Sequence, residues 1–215
     1  MLRRVAVLSV LSMAVAGVSL VCAAEPFDLD QFLVELEKFG RENRRLNVPA
    51  DHGRYLQMMV EVSKAQRALE IGTSNGYSGL WIARGLRQTG GKLITIEYDK
   101  QRGGEAKENF AKAGMNDIVT LHLDDAFKVI PQLEGEFDFI FCDAWKPDYL
   151  KFFELTFPKL KPGGLFLAHN AVRQPNEMKD FLDTVKSHPQ LITTIVQIGS
   201  DGFAVCYKKP AAAGK

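Results

Sequence analysis

The segment that decides the fold is Leu69-Glu-Ile-Gly-Thr-Ser-Asn-Gly-Tyr-Ser78, a short apolar run followed by a loop with two glycines. Residues 68–71 have the length and composition of a buried strand, and helical spacing resumes over residues 78–86. Gly72 and Gly76 allow the backbone to turn tightly and to approach a ligand. The amino terminus of the next helix favours an anionic group. The segment therefore predicts a strand–loop–helix unit that binds a ligand.

The glycine spacing in this loop argues against a dinucleotide. That fingerprint is G-x-G-x-x-G, and counting from Gly72 its second and third glycines would fall at Ser74 and Tyr77. A tyrosine at the third position blocks the close helix–strand contact that glycine allows. Ser74 and Ser78 are expected to add hydroxyl donors, so the loop suits a ligand with a carboxylate and no pyrophosphate.

Strand and helix patterns alternate along the chain around this unit. The other predicted strands are residues 92–97, 118–123, 137–142, 165–168, 191–198 and 203–208. Alternation of this kind indicates a parallel sheet covered by helices on both faces. Only Gly199–Gly202 joins the last two strands, which is too short for a crossover, so this pair must be antiparallel. The sequence predicts an α/β domain with a mostly parallel sheet and a C-terminal antiparallel hairpin.

The first 24 residues differ from the rest of the chain. Arg3 and Arg4 precede an uncharged run from Val5 to Val21, and two alanines ending at Ala24 follow. This pattern is typical of a secretory signal peptide cleaved near Ala24. The alternative is an uncleaved anchor through residues 5–21, because 17 uncharged residues are at the lower limit for a spanning helix. Both interpretations put the domain outside the cytosol, in the periplasm or outside the cell, either free or attached to the membrane.

After the leader we expect a helical segment over residues 25–53, one domain over residues 54–209 and a flexible tail over residues 210–215. Removing Arg3 and Arg4 from the 27 basic residues leaves 25 against 26 acidic ones. This balance excludes the basic footprint of a nucleic-acid binder. Two cysteines remain in the domain, each inside an apolar run, which favours core packing over a disulfide.

Several motifs together resemble the cation-dependent O-methyltransferases, a family that includes the catechol and caffeoyl-CoA enzymes and their bacterial relatives. The motifs are Leu69–Ser78, Thr95-Ile-Glu97, Phe139–Tyr149, Leu160-Lys-Pro-Gly-Gly164, Asp201-Gly202 and Val48-Pro-Ala-Asp-His-Gly53. The resemblance implies a Rossmann-like fold with seven strands in the order 3-2-1-4-5-7-6. It also implies S-adenosylmethionine (SAM) as methyl donor and, by analogy, a homodimer.

The SAM site is expected along the loop and at the next two strand ends. Glu97 ends the second strand about 20 residues after the loop, where an acid can hold both ribose hydroxyls. Asp125 ends the third strand, where an adenine-contacting group would lie, and Asp124 is the alternative. The expected SAM-binding residues are Val48, Glu70, Gly72, Ser74, Gly76, Tyr77, Ser78, Glu97, Tyr98, Asp125, Ala126 and Asp143.

The chemistry is expected where the fourth and fifth strands end. Asp143 closes one strand and Asn170 follows the other, and ligands of open α/β sheets bind at the carboxyl ends of strands. In the resembled family the matching positions hold a divalent metal, usually magnesium, that lowers the pKa of the attacking hydroxyl. Lys146 matches the lysine that orients or deprotonates that hydroxyl. Asp143 and Lys146 are therefore the candidate catalytic residues.

His169 departs from the family, which has Asp-Asn where this chain has His169-Asn170. The candidate metal ligands Asp143, His169 and Asn170 then suit manganese, iron or zinc as well as magnesium. The alternative is that His169 is not a ligand and the site is weakened or free of metal. Residues 171–176 are also shorter than the family's substrate loop, and residues 193–198 lack the carboxylate of catechol enzymes.

Trp145 and Tyr149 flank Lys146 and are expected to wall an aromatic acceptor, or else to pack against the sheet edge. His52 is interpreted as structural. The sequence thus predicts a SAM-dependent O-methyltransferase acting on a hydroxyl of a small, aromatic molecule. One alternative is a non-catalytic SAM-binding module, favoured by His169, the short loop and the leader, since SAM is made in the cytosol. The other is a methyltransferase acting on nitrogen.

Overall fold

The computed structural model describes residues 27–210, so the predicted leader and the last five residues of the predicted tail lie outside it. Within it, seven strands form one sheet in the order β3-β2-β1-β4-β5-β7-β6. Both pairs that involve β7 are antiparallel and the others are parallel, which confirms the predicted fold. The strands are β1 Arg67–Ile71, β2 Lys92–Glu97, β3 Val119–Leu123, β4 Phe137–Cys142, β5 Leu160–His169, β6 Leu191–Ile198 and β7 Asp201–Lys208.

Seven α-helices cover the sheet in the described residues. They are α1 Leu29–Glu42, α2 Ala50–Val62, α3 Tyr77–Thr89, α4 Lys100–Lys112, α5 Ala126–Gln132, α6 Tyr149–Thr156 and α7 Lys179–Ser187. Helix α6 ends at Thr156, because Pro158 lies in a separate 3-10 turn that follows it. No helix within residues 27–210 is long and apolar enough to cross a membrane.

The boundary predicted between residues 53 and 54 lies inside α2, which corrects that division. Leu56 and Val60 of this helix are buried in the same core as α3. Gly53 lies so close to Trp81 of α3 that a Cβ there would be 2.3 Å from the indole ring. Gly53 therefore permits close helix packing, and α2 belongs to the domain.

The core has two layers, one on each face of the sheet. In β4, Phe139 and Phe141 face the layer under α1, α2, α3 and α4, whereas Ile140 and Cys142 face the layer under α5, α6 and α7. Cys142 and Cys206 are buried and unpaired, as predicted. Burial raises the pKa of each thiol to about 12, so both are packing residues and not nucleophiles.

The loop after β1 lies at the point where the strand order reverses. β1 pairs with β2 on one side and with β4 on the other. The amide of Gly72 donates to the carbonyl of Ile96 at 3.0 Å, and the amide of Asp143 donates to the carbonyl of Ile71 at 2.9 Å. The three strand ends are thus tied together at the edge where open α/β sheets bind ligands.

Candidate active site

A cavity of about 960 Å³ opens at this edge of the sheet. Its volume is in the range of small-molecule and cofactor sites. One end is formed by the loop after β1 and by the ends of β2 and β3, and we call it the donor end. The other, the acceptor end, is formed by the ends of β4 and β5 and the start of β7. The lining of the whole cavity includes ten of the expected SAM-binding residues, namely Val48, Gly72, Ser74, Tyr77, Ser78, Glu97, Tyr98, Asp125, Ala126 and Asp143.

The two glycines of the loop have different roles. Gly72 has φ +96° and lies so close to β4 that a Cβ would be 2.3 Å from the carbonyl oxygen of Asp143. Only glycine fits there, which keeps the floor of the cavity open. Gly76 has φ +88° and begins α3, but it faces Phe110 of α4. Gly76 does not line the cavity, contrary to its predicted contact with SAM, and it only shapes the turn that presents Tyr77.

The hydroxyls of the loop are already engaged within the protein. Ser74 Oγ donates to the carbonyl of Arg45, and Ser78 Oγ donates to Glu70 Oε1 at 2.6 Å. Neither proton is left for a ligand, so these serines are not the free donors that the sequence suggested. Glu70 is fully buried and does not line the cavity; it accepts from Ser78 and from Thr95 Oγ1. Burial raises the pKa of Glu70 to about 7, and its role is to fix the first turn of α3.

Glu97 is the carboxylate of the donor end. Its Oε2 accepts from the amide of Ser74 at 2.7 Å and its Oε1 accepts from the amide of Asp99 at 2.9 Å. Each oxygen keeps a second lone pair, so the fixed carboxylate can accept two more hydrogen bonds. Such a pair of acceptors fits the two vicinal hydroxyls of a ribose.

The rim beyond Glu97 suits an adenine ring. Asp125 caps α5 by accepting from the amide of Phe127 at 2.9 Å, and the ring of Phe127 stacks on Phe152 with centroids 4.7 Å apart. Both phenylalanines, Asp125 and its neighbour Asp124 line the cavity. Tyr98 also lines it while remaining 79% exposed. The donor set of this end therefore fits SAM.

Lys146 is fixed at the acceptor end by three acceptors. Its Nζ donates to Asp143 Oδ1 at 2.8 Å, to the carbonyl of Ala144 at 3.0 Å and to Tyr149 Oη at 3.0 Å. With all three N–H bonds donated, it is held as an ammonium ion, a positive charge and not a base. Tyr149 is fully buried and donates to the carbonyl of Cys142, so it supports Lys146 and does not wall the acceptor as predicted.

His169 lies between Asp143 and a histidine that sequence reasoning missed. Its Nδ1 is 3.0 Å from Asp143 Oδ2, and its Nε2 is 2.8 Å from His52 Nδ1. His52 Nε2 is 2.9 Å from the carbonyl oxygen of Ile198. Both imidazoles are at most 4% exposed. In the sequence, the only sign of a role for His52 was its place in one of the family-like motifs. Its contact with His169 joins positions 117 residues apart, so no local pattern indicates it.

The predicted metal ligands do not fit a metal ion. Each oxygen of Asp143 already accepts from a side-chain N–H, and both nitrogens of His169 are engaged. Asn170, in the left-handed region with φ +62°, directs its Nδ2 to Asp201 Oδ2 at 2.6 Å. Within residues 27–210 no group of three or more histidine, cysteine or acidic side chains is arranged to hold a metal. The conflict lies in the charge around Asp143: the lysine ammonium lies 2.8 Å from Oδ1 and an imidazole nitrogen lies 3.0 Å from Oδ2, so a cation on the remaining lone pairs would be repelled by the ammonium.

The acceptor end includes three further residues that were not assigned a role from the sequence. Asp201, Arg173 and Glu177 line the cavity, and Asp201 Oδ1 accepts from the amides of Arg173 and Gly202. Of the three, only Asp201 belongs to one of the motifs, and its carboxylate is already engaged by the backbone. Trp145 lines the mouth and is 70% exposed, so it is accessible to an acceptor as expected.

The sheet order, the glycine loop and the acid at the end of β2 define a SAM-dependent methyltransferase class of the Rossmann-like kind. A family model described as O-methyltransferase matches residues 23–205. Since this is more than half of the sequence, the chain belongs to the O-methyltransferase family. The predicted family, fold and enzyme class, a SAM-dependent O-methyltransferase, are thereby confirmed.

Individual relatives agree with this assignment. A catechol O-methyltransferase of Mycobacterium tuberculosis is 30% identical over 75% of this chain and 80% of its own length. One of Niastella koreensis is 37% identical, but the match spans only 60% of this chain and 59% of that protein. The O-methyltransferase of Bacillus cereus in complex with SAH has a TM-score of 0.77 and 29% identity, covering 86% of this chain and 93% of its own. TomG of Streptomyces achromogenes, in complex with SAM, has a TM-score of 0.76 and 29% identity, covering 85% and 91%.

Proposed function

We propose that this protein transfers the methyl group of SAM to one hydroxyl of a small aromatic acceptor. The observation that carries the proposal is that one cavity joins a donor end built around Glu97 to an acceptor end built around Lys146 and Asp143. The catechol O-methyltransferases among the relatives support an aromatic acceptor. The exposed indole of Trp145 at the mouth supports it too, because aromatic faces stack.

At the donor end, Glu97 would hold the ribose hydroxyls, and the free N–H groups at the start of α3 would face the carboxylate of the amino-acid part. When bound, SAM supplies a methyl group on a positively charged sulfur, which keeps the electron pair of the broken C–S bond. The rigid backing of Glu97 by two backbone amides orients the donor before the acceptor enters.

At the acceptor end, the ammonium of Lys146 would face the attacking hydroxyl and stabilise the negative charge that develops on its oxygen. The oxygen forms the new C–O bond, and its proton leaves to water through the open mouth. Lys146 serves by charge and position, because all three of its N–H bonds are held by acceptors.

Calorimetry with SAM, followed by a methyl-transfer assay over a panel of catechols, monophenols and aromatic amines, tests the proposal. We expect SAM to bind and a hydroxyl acceptor to be methylated. Binding of SAM without turnover of any acceptor would favour the non-catalytic module, and turnover of amines alone would favour transfer to nitrogen. Absence of SAM binding would contradict the proposal altogether.

We also propose export of the domain, on the strength of the sequence of residues 1–24 alone. A phosphatase fusion after residue 40 should be active only if the fused domain leaves the cytosol, and replacing Arg3 and Arg4 with glutamates should reduce that activity. Attachment through residues 5–21 would appear as activity that sediments with membranes. The homodimer also stays a proposal by analogy, which light scattering of the purified domain can test.

A further inference from the structure

Four side chains form one continuous hydrogen-bonded row along the acceptor end. The order is His52, His169, Asp143 and Lys146, with successive contacts of 2.8, 3.0 and 2.8 Å. The row begins on the carbonyl oxygen of Ile198. Each of the four is buried or nearly so, with Asp143 14% exposed at its side chain. The four contacts engage every ring nitrogen of the two histidines, so the protons of the pair can be counted from the row itself.

The hydrogen bonds fix the number of ring protons. A carbonyl oxygen only accepts, so His52 Nε2 must carry a proton. Burial raises the pKa of the Asp143 carboxyl, but the charge and hydrogen bond of Lys146, whose Nζ donates to Oδ1 at 2.8 Å, act against it, so this carboxylate also only accepts. His169 Nδ1 must then carry a proton as well. The contact between His52 Nδ1 and His169 Nε2 needs one more proton, because one of the two nitrogens must donate.

Three protons on four ring nitrogens make the histidine pair a monocation. Within the pair it is His169, and not His52, that lies against the Asp143 carboxylate. The carboxylate at 3.0 Å offsets the cost of burying that charge. Asp201 does not compete for the proton, since its oxygens accept from Asn170 Nδ2 and from the amides of Arg173 and Gly202.

We propose that the His52–His169 pair takes the place of a divalent metal ion, so that methyl transfer by this protein needs no metal. This inference rests on the proposed function for its catalytic part. Within the row, the pair and Lys146 bring two positive charges against the negative charge of Asp143, and the carboxylate of Asp201 is held outside the row by Asn170. The excess positive charge faces the cavity through Lys146 and His169, where it stabilises the acceptor oxygen as it loses its proton. His52 does not line the cavity and is a positioning residue, which acts by fixing the protons of His169.

The first test is metal binding, which requires no acceptor. Titration of the wild-type domain with Mn²⁺, followed by the EPR signal of the free ion, should reveal no stoichiometric site. His169→Asp removes the cation and supplies carboxylate oxygens beside Asp143 and Asn170, so this variant should bind Mn²⁺ at least about tenfold more tightly. His122→Asp on β3 is the matched control and should behave as wild type.

A stoichiometric Mn²⁺ site in the wild type that Asp143→Asn abolishes would overturn the inference, and so would failure of folded His169→Asp to gain affinity. If His169→Asp does not fold, ¹⁵N NMR of the histidine rings in the wild type decides. We expect three protonated nitrogens in the pair at neutral pH. Two protonated nitrogens, one per ring, would mean that the histidine pair is neutral and would contradict the proposal.

The third test is activity. Methyl transfer by the wild type should be unchanged after EDTA treatment and after addition of Mg²⁺ or Mn²⁺, whereas His169→Asp should become metal-dependent. Activity of the wild type that EDTA abolishes and Mn²⁺ restores would contradict metal independence while leaving the proposed function intact. Absence of turnover in the wild type under every condition would instead count against the proposed function, and the EPR and NMR results would still decide the inference.

Discussion

One buried carboxylate lies behind the donor end of the cavity and another lies at its acceptor end, and the two carboxylates behave in opposite ways. Behind the donor end, burial raises the pKa of Glu70 to about 7, and the hydrogen bonds from two hydroxyls do not offset it. At the acceptor end, burial acts in the same direction on Asp143, but the charges of His169 and Lys146 hold its pKa well below the usual range. Neutral partners leave the pKa of a buried acid near neutral pH, whereas cationic partners lower the pKa and keep the acid ionised. The buried acid behind the donor end is therefore held by neutral hydrogen bonds, and the one at the acceptor end is held by charged partners.

The largest difference between the ends should appear on removal of Lys146. Lys146→Met deletes a positive charge at the acceptor end, and we expect kcat to fall by about 10²–10³-fold. The dissociation constant for SAM should stay unchanged, because none of the hydrogen-bond partners of Lys146 belongs to the donor loop. Steady-state kinetics and calorimetry measure the two quantities. Lys151→Met, which removes an exposed lysine, is the control. Equal losses of kcat and SAM affinity in Lys146→Met would contradict the proposed division between the donor end and the acceptor end.

The buried acid behind the donor loop should have the next largest effect, on stability. The folded pKa of Glu70, about 7, lies above the ordinary 4.5, so the folded protein keeps a proton that the unfolded chain releases as the pH rises. Its stabilising contribution is fully present below pH 4.5 and is lost as the pH rises through 7. Relative to Glu70→Gln, the wild type should lose about 3 kcal/mol of unfolding free energy between pH 4.5 and about 8.

Urea unfolding of both proteins across this pH range measures that difference. A difference that grows in the opposite direction, as the pH falls, would mean that Glu70 is ionised in the folded state. The contrast between the two carboxylates would then be lost.

Glu97 should affect the donor end alone. Glu97→Gln keeps the shape but replaces a charged acceptor, so SAM should bind more weakly by about 1.5–3 kcal/mol, roughly ten- to a hundredfold. At saturating SAM, kcat should be close to wild type. Calorimetry provides the affinity, with Glu136→Gln on the surface as control. Unaltered SAM binding in Glu97→Gln would remove the basis of the donor site.

Trp145 should have the smallest effect, because its side chain is largely exposed at the mouth. Trp145→Ala should raise the KM for an aromatic acceptor by up to about tenfold, as expected for the loss of one stacking contact. Stability should change by no more than about 0.5 kcal/mol. Val62→Ala, at another exposed apolar position, should leave KM as it is. An unchanged KM in Trp145→Ala would mean that the acceptor does not contact the indole.

Most of the fold was accessible from sequence because periodicity is a local signal. The bounds of β2, β4 and β6 were predicted to the residue, since each is an apolar run between polar or glycine-rich turns. The errors have physical causes as well. β5 begins five residues earlier than predicted because the Pro-Gly-Gly turn belongs to the strand, and the boundary predicted after residue 53 falls inside α2, where Gly53 permits helix contact. At the site, Glu70, Gly76 and Tyr149 were identified as functional, but they support other residues from behind the cavity wall.

By itself the sequence determined the alternation of strands and helices and the turn between β1 and α3, because that loop is one continuous segment whose glycines fix the backbone locally. The strand order followed from the resemblance to the family. The sequence also determined that Asp143, Lys146 and Asn170 follow strand ends. Only the tertiary structure decided what charge these residues meet. His52 comes from a helix that precedes the sheet, and its contact with His169 exists only when α2 packs beside β5 and β7. The hydrogen bond between these two distant histidines fixes the protons on their rings, and no local sequence pattern encodes that hydrogen bond.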